Sequence, residues 1–67
     1  MIENVQQLKQ FFVDSKFARV AVPASVRKAW MLNDETVTLK GLVRDVEFSN
    51  AGGGVWFAEL VALKERG

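Results

Sequence analysis

The chain predicts a small α+β protein: an N-terminal helix followed by a bent antiparallel β-sheet or barrel. Three observations predict it. Ile2, Val5, Leu8 and Phe12 recur at three- and four-residue spacing, the period of one helix face, with no Pro or Gly between them. From Arg19 onward, short β-prone runs follow one another, divided by Pro23, by Asn33-Asp34-Glu35 and by the stretch from Ser49 to Gly54. The length, 67 residues, bounds all of this to a single domain spanning 1–67. Within it, 1–15 forms the helix and 16–63 the β-rich core, which carries a short helix over 24–31.

In the N-terminal helix, Ile2 to about Asp14, Phe11 widens the apolar stripe and Glu3 sits in the first turn, where the helix dipole favours an acid. A strand over 9–13 is the alternative, and the spacing favours the helix. The stripe either lids the sheet or receives a partner. Arg19-Val-Ala-Val22 is then β-prone and stops at Pro23, the chain's one proline, which cannot continue a ladder and suits the first position of a helix. Val26, Ala29 and Trp30 fall at i, i+3 and i+4, so Trp30 anchors the short helix while Arg27 and Lys28 point to solvent.

The stretch from Thr36 to Phe48 reads as one long strand. Val37, Leu39 and Val43 share one parity while Val46 and Phe48 share the other, which requires a bulge or bend between Gly41 and Asp45. A glycine-rich turn over 49–54 leads to a last strand, Val55 to Leu63. That strand is apolar on both faces: Val55, Phe57, Val61 and Leu63 on one, Trp56, Ala58, Leu60 and Ala62 on the other. A chain this short buries only about 60% of its unfolded surface. A strand apolar on both faces therefore predicts a second copy to cover it, a homodimer.

Composition removes whole classes of chemistry. The chain has no cysteine and no histidine, so disulfides, thiolate metal sites and the common nucleophile–base pairs are excluded and no enzyme is predicted. Asp45 and Glu47 alone do not complete a Mg2+ or Ca2+ shell, and Gly52-Gly53-Gly54 leads into a strand rather than a helix, so it is a hairpin turn and not a phosphate loop. No metal and no cofactor is expected. No apolar run is long enough for a membrane span or a secretion signal, and a cytoplasmic protein follows.

The net charge is only +1, but its distribution is uneven. Residues 16–30 hold Lys16, Arg19, Arg27 and Lys28 with no acid among them. Such a cluster is the footprint of phosphate contacts, and a dimer doubles it.

The run R-V-A-V-P-A-S-V-R-K-A-W-M-L, followed by a polar turn and V-T-L, resembles the AbrB–MazE–SpoVT family of DNA-binding domains. Arg19, Val20, Val22, Pro23, Val26, Arg27, Lys28 and Leu32 match that pattern, over about a third of the chain; the turn Asn33–Glu35 stands where the family has Gly-Asp. The resemblance implies an intertwined, swapped-hairpin homodimer that binds DNA as a transcriptional regulator or antitoxin. It also implies DNA contacts at Arg19, Arg27 and Lys28, to which the charge cluster adds Lys16. Two other readings stand beside it. One is a non-enzymatic interaction protein, such as a phage- or plasmid-encoded inhibitor docking on a host protein through the N-terminal helix or the 49–54 hairpin. The other is an OB-like nucleic-acid binder, for which V-T-L-K-G-L-V-R-D-V and G-V-W-F-A-E-L have the cadence.

Overall fold

Helix α1 (Val5–Asp14) starts where Asn4, in an extended conformation, accepts a hydrogen bond from the Gln7 backbone N–H at 2.9 Å. Gln7 returns the bond by accepting from the Glu3 N–H through Oε1. The Asn4 side chain thus satisfies one of the donors that a helix start leaves orphaned, and the Gln7 side chain ties down the residue before the cap. The helix therefore begins three residues later than the apolar spacing alone suggests. Glu3 precedes the cap and lies outside the first turn. Residues 9–13 are helical, and Leu8 and Phe12 are buried. The computed structural model describes residues 2–15 and 19–61; Lys16 and the expected strand end at Ala62 and Leu63 lie outside them.

Strand β1 (Arg19–Pro23) runs directly into helix α2 (Ala24–Leu32), with Pro23 as the N-cap. Proline supplies no side-chain cap. The first helical N–H, that of Ala24, instead donates to the carbonyl of Gly54 at 3.1 Å. At its far end α2 closes with the Asp34 N–H on the Met31 carbonyl and the Glu35 N–H on the Trp30 carbonyl, 3.3 and 3.1 Å. This is the Schellman pattern, and Asp34 holds its left-handed position at φ 51°.

The stretch expected as one bulged strand is a hairpin. Strands β2 (Val37–Leu39) and β3 (Leu42–Arg44) pair antiparallel with Leu39 opposite Leu42, so the turn is Lys40-Gly41 alone. Both turn residues have positive φ, 53° and 80°, the combination that matches a two-residue turn to the twist of its strands. The chain reverses at Gly41 rather than bulging past it, and the reversal, with the break at Asp45, accounts for the change of parity. Strand β4 (Val46–Gly52) and strand β5 (Val55–Leu60) form the second hairpin, turning at Gly53-Gly54. The register slips by one between Asn50 and Gly52, a bulge that Asn50 supports by accepting from the Gly52 N–H at 2.8 Å.

Strands β1, β5 and β4 make a three-stranded antiparallel sheet in that order, and β2–β3 a separate ribbon. The inner face of the larger sheet carries Val20, Val22, Ala58, Phe48 and Val46, its outer face Arg19, Ala21, Phe57, Glu59, Glu47 and Ser49, as the pairing Val20↔Ala58↔Phe48 and Arg19↔Glu59↔Glu47 requires. Helix α2 packs against the inner face over β1 and β5, and α1 packs on α2 and on β2 of the ribbon. The core is Leu8, Phe12, Val22, Val26, Trp30, Val37 and Ala58, with Trp30 meeting Phe48 edge-on at 6.2 Å between ring centroids. Lys9 of α1 pairs with Glu35 at 2.5 Å and ties the first helix to the turn after the second. The result is an α+β fold of two helices and small antiparallel sheets. No helix among the described residues is long and apolar enough to cross a membrane.

Candidate nucleic-acid interface

Each predicted contact residue owes its position to the sheet register. Arg19 faces Glu59 directly across β1–β5, which makes Phe57 its diagonal neighbour on the outer face. Long side chains span that diagonal. The Arg19 guanidinium carbon lies 4.2 Å from the centre of the Phe57 ring. Arg27 arrives by another route. The Ala24–Gly54 hydrogen bond pins the start of α2 to the tip of the β4–β5 hairpin. One turn along the helix, the Arg27 guanidinium carbon then sits 4.0 Å above the Trp56 ring, two residues from Gly54. Arginine stacks on aromatic faces in this way because its planar, weakly hydrated cation meets the negative face of the ring.

Trp56 and Phe57 are consecutive in a strand and therefore point to opposite faces of the sheet. The structure thus separates the two arginines that the sequence groups together. Arg27 and Lys28 adjoin one another on α2, Arg27 half-buried and Lys28 exposed; Arg19 is exposed on the outer face. Among the described residues Lys9–Glu35 is the only ion pair, so Arg19, Arg27 and Lys28 have no carboxylate partner there. The Nε of Arg27 is buried with no hydrogen-bond acceptor. Along its nine residues α2 contains no acid.

Of the residues that orient the arginines, Gly54 belongs to the 49–54 hairpin that the sequence offers for docking on a protein, while Trp56 and Phe57 are not marked as site residues by the sequence. The available signal was the adjacent aromatic pair in a strand apolar on both faces. Part of that apolar surface is covered within the chain, since Arg19 lies over Phe57 and Arg27 over Trp56.

A second feature lies at the other end of α2. A cleft of about 280 Å3 is lined by Trp30, Met31, Asp34, Glu35, Asp45, Val46, Glu47 and Val61. Arg44 closes one margin, donating from Nε and Nη2 to the Val61 carbonyl at 3.1 and 3.0 Å, while the Val61 N–H donates to the Asp45 carbonyl at 3.0 Å. Four carboxylate residues border the cleft. Even so, no three acidic side chains among the described residues are grouped to hold a metal ion.

No protein-family model, no curated protein and no solved structure matches this chain.

Proposed function

We propose that the protein is a DNA-binding regulator or antitoxin that acts in the cytoplasm as a homodimer, with α2 as its contact element. One observation carries the proposal: Arg27 is stacked on Trp56 with no carboxylate partner among the described residues, beside the exposed Lys28, on a helix that contains no acid. A guanidinium laid on a ring with its Nε buried has its two terminal nitrogens left to offer a bidentate acceptor, a phosphate or a guanine edge. The neighbouring ammonium suits a phosphate. Arg19 supplies a further contact from the outer face, on the opposite side of the sheet from Arg27. The resemblance to the AbrB–MazE–SpoVT domains supports the same assignment and adds the swapped-hairpin form of the dimer.

The test is fluorescence anisotropy with mixed-sequence duplex DNA at low and moderate salt, comparing the parent with the double variant Arg27→Glu, Lys28→Glu. The parent binds, and binding weakens as salt rises, because each phosphate contact releases condensed counterion. The double variant loses binding, with circular dichroism checking that it is folded; Lys28→Glu alone, at an exposed position, weakens binding in a protein that keeps its fold even if the half-buried Arg27 does not tolerate a carboxylate. Equal affinity for the two proteins, or no binding by the parent, rejects the proposal and leaves docking on a protein as the better account.

A further inference from the structure

We infer that the β2–β3 hairpin of one copy seats in the cleft beside α2 of a second copy, and that this contact holds the homodimer together. The inference rests on the homodimer proposed above, not on its swapped-hairpin form, and says where the contact forms. Leu42 and Val43 are 51% and 56% exposed on the hairpin, and Met31 is 57% exposed at the mouth of the cleft. Apolar side chains left in water on both elements gain by covering one another.

Charge assigns the occupant. Residues 36–44, the hairpin and its approach, contain no acid, and with Arg44 held on the Val61 carbonyl of its own chain their free charge is Lys40. The cleft is bordered by Asp34, Glu35, Asp45 and Glu47, of which only Glu35 is ion-paired among the described residues. Lys40 is exposed at the hairpin tip and has no ion-pair partner there. It also holds a left-handed conformation, φ 53°, where glycine or asparagine is the unstrained choice. The cleft, about 280 Å3, falls below the usual range for drug-sized ligands and has room for a side chain or two. Its apolar lining of Trp30, Met31, Val46 and Val61 suits the aliphatic stem of a lysine and a neighbouring leucine or valine, while its acidic residues suit the ammonium. Backbone complementarity adds to this, since β3 and β4 each have one edge with no strand beside it among the described residues. In a two-fold dimer the contact occurs twice, hairpin to cleft and cleft to hairpin.

A charge-swap mixing experiment tests this by light scattering after size exclusion. One variant carries Lys40→Glu, the other Asp34→Lys with Asp45→Lys; all three positions are exposed, so both proteins are expected to fold, which circular dichroism checks. Each variant alone places like charges in both copies of the contact and is expected to dissociate at least tenfold more readily than the parent. Mixed in equal amounts, they restore opposite charges in both contacts and give a dimer again. A parent that stays monomeric up to high micromolar concentration overturns the inference. So does a parent dimer that either variant matches on its own, because the interface then lies elsewhere. DNA affinity of the parent and of the Lys28→Ala variant, measured in parallel, separates this outcome from failure of the DNA proposal: α2 still binds DNA if only the hairpin contact is misplaced.

Discussion

The guanidinium of Arg27 lies 4.0 Å above the ring of Trp56, held there because α2 begins on the carbonyl of Gly54. The stack joins a helix to the inner face of the sheet and orients the proposed contact residue. A double-mutant cycle with Arg27→Met and Trp56→Leu should show coupling of about 0.5–2 kcal/mol by urea denaturation, the span for cation–π pairs from exposed to desolvated. The Arg19–Phe57 pair, with Arg19 exposed, should fall at the lower end. Zero coupling in the first cycle would mean that the ring does not hold Arg27.

Trp30 is 2% exposed and meets Phe48, Val26 and the α1 side of the core. Truncation leaves a large hole that a 67-residue chain cannot collapse to fill. Trp30→Ala should therefore destabilise by about 3–5 kcal/mol, the range for deleting a buried aromatic, and approach complete unfolding at room temperature. Thermal denaturation checks it; an unchanged midpoint would contradict the burial.

How far these features could be read in advance depended on whether the cause was local. Pro23 forces the end of β1 and the spacing of Val26 and Trp30 settles the inward face of α2, so that junction was legible within a few residues. Lys40 hid a turn, because a lysine gives no sign that it will adopt φ 53°; a two-residue reversal then passes for a parity slip in one long strand. The arginine stacks were not legible at all. They depend on which β5 residue faces β1 and on a hydrogen bond from Ala24 to Gly54, thirty positions away in the chain. For the same reason Arg19 and Arg27, eight positions apart in one basic stretch, end on opposite faces of the sheet.

Asp34 takes the left-handed position that ends α2, with the Glu35 N–H reaching back to Trp30. Glycine adopts that conformation without steric cost, although it also has more freedom to lose from the unfolded chain. Asp34→Gly should give a net gain of about 0.5 kcal/mol, which raises the melting temperature by roughly 2–4 °C in a domain of this size. Asp34→Asn keeps the side chain's tolerance of the conformation and removes only the charge. If asparagine gains as much as glycine, the benefit is relief of repulsion among the cleft acids rather than of backbone strain.

Arg44 grips the Val61 carbonyl with two donors just past the end of β5. Bonds from a charged donor are worth about 1.5–3 kcal/mol each when made well, less here because Arg44 is only half-buried. Arg44→Met should free the end of β5 without melting the core. Hydrogen exchange reads this directly: the Val61 amide, bonded to the Asp45 carbonyl, should lose protection while the Ala58 amide keeps it. Equal loss at both amides would mean that Arg44 supports the whole sheet.

The separation of Arg19 from Arg27 and Lys28 by the thickness of the sheet lets the DNA proposal be tested residue by residue. Lys28 is exposed, and exposed substitutions usually shift stability by under about 0.5 kcal/mol, so Lys28→Ala should remain folded. If Lys28 meets a phosphate, its loss should reduce the slope of log affinity against log salt by about 0.9 and weaken every DNA sequence alike. Arg27→Lys keeps the charge and removes the planar fork. If Arg27 reads a base, that change should cost about 1–3 kcal/mol on a preferred site and little on random DNA, leaving the salt slope in place. Arg19→Ala, on the other face, should alter the slope less than Lys28→Ala does. An equal or larger effect at Arg19 would move the contact surface from α2 to the outer face of the sheet, around Phe57 and Ser49, where stacking of unpaired bases on the ring becomes the better account.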